Sequence, residues 1–446
     1  MDILTSMLSE EAQEEPSEVI EVEGDIDPHF DIPNQGKILI ISNDQSYLTH
    51  GIHKFPAKFF PELPRYLIRK YSNTCDIVLD PMCGSGTVVL EALLNKRVAI
   101  GIDIDPIARL ITRAKTTPID SDTLSFAVQA LTTQIQELIN SSNYRPSIPE
   151  FHYRDNWFRS FVLQELAIIS ESIEILLSRH IDQGEWRNID DFFRVILSSI
   201  IRDVSNADPH CTRTVLRKNV VKTISPGDTY KKFAETLINH CASMSELLKI
   251  SKTLDFSDVR LPIGNAIETG LDDDSIDLAL TSPPYINAVD YPRTHQLEMY
   301  WLGLVGDGPL SNMKRKYIGT ETVYKDEYSH LRTSGFDSLD PLLKKIYSRD
   351  PRRSYIVFKF FEDMKDQLME MYRVLRPKSY YCVVIGNNVI RGNLVKSHQI
   401  LTEIATSDDV GFKIEKSFFS GVIRHFIKIP RRERMAGEWV LVLRKP

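Results

Sequence analysis

The sequence predicts an α/β fold: a doubly wound sheet of mainly parallel strands, interrupted once by helices. Three observations predict it. A strand pattern, a glycine turn, a helix pattern and a second strand pattern follow one another over residues 76–104. That series is a βαβ unit, which demands a parallel sheet with a right-handed crossover. Residues 106–260 then carry long helical patterns. From residue 275 strands and helices alternate again, towards a last strand at residues 439–443.

In chain order, residues 1–35 are acidic, poor in aromatics and close on a Pro/Asn/Gly cluster, the composition of a mobile tail. Residues 36–42 form a short strand. The prolines of residues 50–71 mark a loop, with Pro64 in the first turn of a helix that runs through Lys70. The apolar runs 76–80 and 98–104 are buried strands, and residues 87–94 are the helix between them. Helices are expected over 123–138, 161–177, 190–204 and 230–250. Residues 205–228 are polar and basic, an exposed loop. A strand at 275–280, an aromatic-rich helix at 290–304, a polar stretch at 305–350, a helix at 354–375, a strand at 380–386 and a helix at 396–410 complete the series. The division is therefore a tail (1–35), a catalytic α/β domain (36–105 and 261–446) and a helical insertion (106–260).

Composition narrows the class. A chain of 446 residues allows two or three domains, or one large elaborated one. Its 42% apolar and 26% charged residues are ordinary for a soluble globular protein. No uncharged apolar run reaches the ~20 residues of a membrane span. The first twenty residues hold Glu10, Glu11, Glu14, Glu15 and Glu18 with no Lys or Arg, the reverse of a secretory signal, so a cytoplasmic protein is expected. Five scattered cysteines show no zinc or redox spacing, and His50, His53, His210 and His295 join no Cys or Asp pair, so no metal is expected. The net charge of -7 divides unevenly. Residues 1–31 hold eleven acids and no base, leaving -7 + 11 = +4 for the remainder. From Ile286 onward 27 Lys or Arg face 19 Asp or Glu, a net +8. That suits a basic face for nucleic acid, and equally a plain solvated surface.

Three motifs carry the chemistry. The first is DPMCGSGT, Asp80 to Thr87, between a strand and a helix. Its glycines let a ligand approach the backbone, and the helix start supplies unpaired N–H groups. Neither the dinucleotide fingerprint nor the phosphate loop is met, since the third residue after Gly86 is Val89. The second is GIDIDP, residues 101–106. An acid closing the second strand can accept hydrogen bonds from both ribose hydroxyls of a nucleoside. Asp103 takes that role, and Asp105, before Pro106, caps the next helix.

The third motif is Thr281-Ser282-Pro283-Pro284-Tyr285 at a strand's C-terminal end. Two prolines stop the ladder and fix the backbone where α/β sheets place their ligands. A base's exocyclic amino nitrogen is a poor nucleophile, because its lone pair is delocalised into the ring. The Ser282 hydroxyl and the Pro283 carbonyl can each accept one of its N–H groups, which favours the localised nitrogen that attacks a methyl sulfonium. Tyr285 offers a face for stacking the base, which in duplex DNA must first be flipped out. The chain has no Pro-Cys pair to act as a thiolate nucleophile, which argues against methylation of a ring carbon.

These motifs, in this order, resemble those of the amino-methylating DNA methyltransferases, and within them the cytosine-N4 group with its Ser-Pro-Pro-Tyr motif. GNAIETGLDDDSIDLALTSPPY (residues 264–285) looks like the family's adenine-contact and catalytic segments in tandem, and HKFPAKFFPELPRYLI (53–68) like its cofactor lid. DYPRTHQLEMYWLG, FFEDMKDQLMEMYRVLRP and VVIGNNVIRG also fit, so the likeness runs over residues 48–446. It implies a Rossmann-like S-adenosylmethionine-dependent methyltransferase sheet, a duplex DNA substrate and a cognate restriction nuclease as partner. By position it implies that Asp80, Gly84, Ser85, Gly86 and Thr87 line the methionine part of the cofactor. Asp103 and Ile104 would meet the ribose, Asn265 and Ala266 the adenine, and Phe55, Ala57 and Lys58 the carboxylate end. Ser282, Pro283, Pro284 and Tyr285 would handle the target base. Asn265 stands where the family usually has Asp, and Arg376-Pro377-Lys378-Ser379 lacks a common glycine.

The resemblance favours cytosine N4 over adenine N6, because serine opens the tetrapeptide; the hydrogen-bonding chemistry discriminates only weakly. Methylation of an RNA base and a non-catalytic nucleic-acid-binding module keep the same motifs and stay open at this level. Arg213, Arg217, Lys218 and Lys222 in the insertion, and Lys314-Arg315-Lys316 with Arg352-Arg353 after it, compete for the phosphate contacts.

Overall fold

The computed structural model describes residues 19–42, 44–180, 184–217, 222–256, 259–286, 289–305, 310–423 and 437–446. In chain order the first elements are β1 (Val19–Glu23), β2 (Lys37–Ile41), α1 (Glu62–Tyr71), β3 (Ile77–Asp80), α2 (Thr87–Leu94) and β4 (Val98–Gly101). Helices α3 (Pro106–Thr116), α4 (Ser121–Asn140), α5 (Arg154–Trp157), α6 (Ser160–Ser178), α7 (Trp186–Val204) and α8 (Asp228–Leu254) separate β4 from β5 (Ile276–Thr281). Then come α9 (Tyr291–Thr294), α10 (Gln296–Trp301), α11 (Leu310–Lys314), α12 (Asp340–Tyr347) and α13 (Pro351–Val374). β6 (Leu375–Ile385), β7 (Asn388–Ile390), β8 (Asn393–Val395), α14 (Ser397–Ala405), β9 (Lys413–Ile423) and β10 (Gly437–Arg444) close the series.

Eight strands form one sheet in the order β1-β2-β9-β10-β6-β5-β3-β4. Every neighbouring pair is parallel except the two made by β10. This is the α/β class, with the mainly parallel sheet, that the sequence predicts. The short apolar strands are explained by burial on both faces. Val78, Leu278, Leu280, Cys382 and Val440 face Leu67, Val88 and Ala92 of α1 and α2. Leu79, Ala279, Tyr381, Val383 and Leu441 face Val357, Phe360 and Met364 of α13. Alternate residues of one strand thus serve two cores.

From β3 the chain steps outward to β4, then returns to place β5 on the other side of β3. The order reverses between β3 and β5, and such a switch point opens a crevice at the carboxyl ends of the strands. The helices between β4 and β5 share a third core. Ile107, Leu110 and Ile111 of α3 pack with Ile189, Phe192 and Ile196 of α7. Arg113 fixes the same contact with two hydrogen bonds to Asp191, at 2.7 and 3.0 Å.

Several expectations need correction. Of the expected tail, residues 1–18 lie outside the described residues. Residues 19–35 are structured: β1 adds a parallel edge strand to β2, and Ile26 and Ile32 are buried. Acidic composition hid this, because the outward residues of an edge strand remain solvated. The expected loop 205–228 is not simply exposed. Ser205, Ala207, Asp208 and Thr214 are buried, and Thr214 donates to the Thr294 carbonyl at 2.7 Å. The single helix expected over 290–304 is two short ones that meet at His295. The helix expected over 396–410 ends at Ala405. β9, which the sequence reading missed, carries Lys413, Glu415 and Lys416 in its first residues.

The segment without the usual glycine is a bulge. The pairing of β5 with β6 slips between Ile276 and Leu278, and Lys378 adopts φ 71. An L side chain is strained there by about 1 kcal/mol, and exposed Lys378 offers no side-chain contact in return. Lys378→Gly should therefore raise the stability by about 1 kcal/mol, read as a higher denaturant midpoint with unchanged slope. An unchanged or lower midpoint would mean that the turn is not strained.

Candidate active site

The three motifs converge on the switch-point crevice. A cavity of about 420 Å³ lies there. Eleven of the twelve expected cofactor residues line it: Phe55, Ala57, Lys58, Asp80, Gly84, Ser85, Thr87, Asp103, Ile104, Asn265 and Ala266. Ser282 and Pro284 line it as well. Local geometry explains the convergence, because β3, β4 and β5 all end at this edge.

Gly84 and Gly86 both take positive φ, 51 and 76. A Cβ on Gly84 would stand 3.2 Å from the Phe55 ring, so this glycine keeps turn and lid in contact. Gly86 does not line the cavity. A Cβ there would meet the Thr112 side chain of α3 at 2.7 Å, so its glycine serves the close packing of α2 on α3. Thr87 opens α2 with a buried hydroxyl that has no protein partner. An orphan donor beside the free amides of a helix start fits a ligand carboxylate.

Asp80 is buried. Its Oδ1 accepts from the Thr281 hydroxyl at 2.8 Å and from the Met82 amide at 3.1 Å. Burial pushes its carboxyl up to about 7, although these hydrogen bonds pull it down. Asp103 accepts from the Gly84 amide and from the Asp105 amide, each at 2.8 Å, so one carboxylate sets the glycine turn and closes its own loop. Asp105 accepts from the Ile107 amide at 3.0 Å and caps α3, as the sequence predicts. Its carboxyl is pushed up to about 7 by burial and by the charge of Asp103.

The remaining expected residues differ in their standing. Lys58 reaches the cavity, but its ammonium donates to the Gln45 and His50 carbonyls at 2.8 and 2.7 Å, and burial lowers it to about 8. It holds the lid together. The lid is anchored further by buried Glu91 of α2, which takes hydrogen bonds from His50 and Arg65, each at 2.9 Å, and from the Tyr47 hydroxyl. Asn265 Oδ1 accepts from the Ile267 and Glu268 amides at 2.8 and 2.9 Å. Its side chain builds the turn that presents Ala266, a role an Asp carboxylate would fill equally. Pro283 is buried, and neither it nor Tyr285 lines the cavity. The Tyr285 hydroxyl donates to Glu438 of β10. The strand series gave no hint of that partner.

Sequence reasoning also missed part of the wall. Tyr291 stacks on Phe55 with centroids 5.7 Å apart. Residues 315–318 close one side, and Lys359 and Asp363 of α13, paired at 2.8 Å, close another. The basic run here is largely spent within the protein. Lys314 pairs with Asp290 at 2.7 Å, Arg315 with Glu327 at 3.0 Å and Arg353 with Glu321 at 3.0 Å. In the insertion, Lys222 donates to the Arg202 carbonyl at 2.8 Å and Arg217 pairs with Asp208 at 3.2 Å. Arg213 is exposed, and Lys218 lies outside the described residues. Among the described residues no cluster of three or more His, Cys, Asp or Glu could hold a metal ion. No helix among them is long and apolar enough to cross a membrane.

A glycine turn opening a helix, an acid ending the next strand and Ser-Pro-Pro-Tyr on the strand beside them form the arrangement expected of an amino-group methyltransferase site. Residues 17–113 match the family model described as DNA methylase, of the N6/N4 type. Over those residues the chain is similar to this amino-methylating family. It is 25% identical to Type II methyltransferase M.MvaI of Kocuria varians over 398 residues, 82% of each chain. It is 22% identical to Type II methyltransferase M.BsoBI of Geobacillus stearothermophilus, over 84% of this chain and 81% of that one. A SAM-dependent methyltransferase structure from Methanosarcina mazei aligns over 85% of this chain and 96% of its own, at 11% identity and a TM-score of 0.28.

The cavity residues fit S-adenosylmethionine through the orphan Thr87 hydroxyl, the Asp80 and Asp103 carboxylates and the open backbone at Gly84. Two outcomes are expected. Gly84→Val, which adds side-chain atoms against Phe55 at positive φ, should abolish cofactor binding in calorimetry; unchanged binding would separate the turn from the ligand. A cationic ligand favours ionised Asp80, so binding must expel its proton below the carboxyl's own midpoint. Affinity should therefore climb from about pH 5.5 and level near 7, and Asp80→Asn should flatten that slope. A flat wild-type profile would place no positive charge near Asp80.

Proposed function

We propose that the protein methylates the exocyclic N4 amino group of cytosine in DNA, with S-adenosylmethionine as methyl donor. The observation that carries this reading is that Ser282 opens on the same cavity as Asp80, Gly84 and Asp103. The cofactor supplies an electrophilic methyl on a sulfonium centre. The chain's own residues do the remaining work. The lid at Phe55–Lys58 and the wall at residues 315–318 exclude water. The Ser282 hydroxyl and the Pro283 carbonyl accept the two amino N–H bonds, and this localises the nitrogen lone pair toward the methyl. In receiving the methyl the amino nitrogen gives up one proton along its hydrogen bond to the Ser282 hydroxyl, for release to solvent. Nothing in this route needs a covalent enzyme intermediate.

Tyr285 lies behind the cavity lining with its hydroxyl on Glu438, so it must turn toward the cavity to stack on the base. The base leaves the duplex to reach the site. The relatives bear Type II methyltransferase names. On that ground the reading extends to a restriction nuclease that recognises the same DNA sequence. Serine at the head of the tetrapeptide supports cytosine over adenine.

Ser282→Ala should lower transfer of labelled methyl to unmodified duplex DNA by a factor of about 10²–10³, the usual cost of one oriented polar group, with cofactor affinity unchanged. Full turnover in that variant would remove Ser282 from the chemistry. Digestion of the product to nucleosides decides the target: N4-methylcytosine is expected, and N6-methyladenine would move the reading to the other amino group.

A further inference from the structure

A second cavity, of about 350 Å³, adjoins the first across Tyr291, Tyr317 and Ile318, which line both. Past Arg293 and Lys314 it runs on into a more open space of about 500 Å³ beside Trp157. Together they form a groove that ends next to the active site. Nothing in the proposed chemistry uses it.

The groove carries an excess of positive charge. Arg213, Arg293, Lys314 and Arg352 line it with two acids, Asp290 and Glu321. Both carboxylates are already neutralised, Asp290 by Lys314 at 2.7 Å and Glu321 by Arg353 at 3.0 Å. Arg352 donates to the Glu321 carbonyl at 2.6 Å, a contact that leaves its charge uncompensated. Arg213 and Arg293 are exposed, and among the described residues neither guanidinium has a hydrogen-bond or ion-pair partner. They differ in this from Arg315, Arg217 and Lys222, whose charged ends are bonded within the protein.

An exposed arginine is by itself an ordinary solvated charge. What sets this pair apart is how it is held. Arg213 comes from the insertion and Arg293 from α9. The residues that follow them, Thr214 and Thr294, are both buried, and the Thr214 hydroxyl donates to the Thr294 carbonyl at 2.7 Å. That bond fixes together two backbones 80 residues apart. The loop before Arg213 is set from behind as well. Arg202 donates to the Asp208 and Thr212 carbonyls at 3.1 and 3.0 Å, and the Asp208 amide donates to the Val215 carbonyl at 2.9 Å. The Arg293 amide donates to the Asp290 carboxylate that caps α9, at 3.1 Å. The backbones are fixed while the guanidinium groups stay unspent, which is the preorganisation of a binding site.

A guanidinium's planar fork matches phosphate oxygens. The groove is longer than one phosphate, which suits an anion repeated along a chain. We infer that it is a phosphodiester-binding groove: it holds the sugar–phosphate backbone of DNA beside the active site, with Arg213 and Arg293 on the phosphates. Such contacts set register and orientation and carry no sequence information. This rests on the DNA methyltransferase reading above and extends it to residues outside the three motifs. It also gives the helical insertion a part in holding the substrate, because Arg213 belongs to it.

The test compares the full-length wild type with Arg213→Ala, Arg293→Ala, the double Ala variant and the double Lys variant. Steady-state methyl transfer is followed on a long unmodified duplex. Binding is followed over a range of salt on two short duplexes of unrelated sequence. Thermal midpoints and calorimetric cofactor affinity are measured for each protein. Each single Ala variant should raise Kd and KM for DNA about tenfold, with cofactor affinity within about twofold. The double Ala variant should flatten the slope of log Kd against log salt by about one or more. The loss should be the same on both short duplexes, because a phosphate contact is blind to sequence. The double Lys variant keeps the charge without the fork, so it should recover most of the salt slope. Unaltered Kd and slope in the double Ala variant would overturn the groove and leave the methyltransferase reading standing. Loss on one duplex alone would overturn it too, by making the arginines readers of bases. Equal loss in the Lys and Ala variants, with lowered thermal midpoints, would reduce the pair to packing. Salt-dependent binding that the double Ala variant loses, without transfer by the wild type, would keep the groove and sink the methyltransferase reading. Neither transfer nor duplex binding by the wild type would sink both.

Discussion

One hydrogen bond sets the geometry on which the site depends. The Thr281 hydroxyl donates to Asp80 across adjacent strands, between residues 201 positions apart in the chain. Backbone pairing of β3 with β5 covers only Val78 with Leu278 and Leu79 with Ala279. Beyond it each strand runs into a turn, one leading to the glycines and the other to the prolines. The side-chain bond carries the alignment past the end of the ladder, at the edge where the cavity opens. The Asp80 carboxylate is costly to bury, and a hydroxyl and an amide on one of its oxygens offset that cost. Its other oxygen is left for a ligand.

The surroundings follow from the same reversal of strand order. Both core layers end at the carboxyl edge, so the crevice is floored by strand ends and walled by whatever the chain lays across them. The lid supplies one wall and is tied to α2 through Glu91. Burial alone would raise that carboxyl, and the hydrogen bonds and charges of His50 and Arg65 bring it below its ordinary value. The segment after β5 supplies the opposite wall through Tyr291 and residues 315–318. The helices between β4 and β5 dock through α3, whose cap is Asp105. Displacement of that insertion would therefore reach the residue beside Asp103.

What the sequence made legible was local. Asp105 could be read as a cap from one proline, and the βαβ unit from thirty residues of apolar and glycine pattern. The ends of three strands could be placed together because a parallel sheet leaves little choice. What escaped reading was either long-range or disguised. β1 is acidic because an edge strand shows one face to water. β9 begins with charges because its first residues extend past its pairing with β2, which starts at Phe419. Arg315 and Lys314 looked like free cations, since nothing in their neighbourhood announces Glu327 and Asp290 as partners. Tyr285 could be assigned a stacking face, but its anchor lies 153 residues away on Glu438. Asn265 seemed a weakened cofactor contact, and the turn it builds is visible only once the backbone of residues 265–268 is known.

The position of β10 has a consequence for biosynthesis. It is the last strand of the sheet to leave the ribosome, and it sits between β6 and β9 rather than at an edge. Until it arrives, β1, β2 and β9 have no backbone ladder to the rest of the sheet. Chains that depend on such distant pairings fold slowly and late. Glu438 travels on that same strand, so the tyrosine of the Ser-Pro-Pro-Tyr segment gains its anchor in the final step of assembly. A nascent chain can complete its glycine turn long before it can orient that ring.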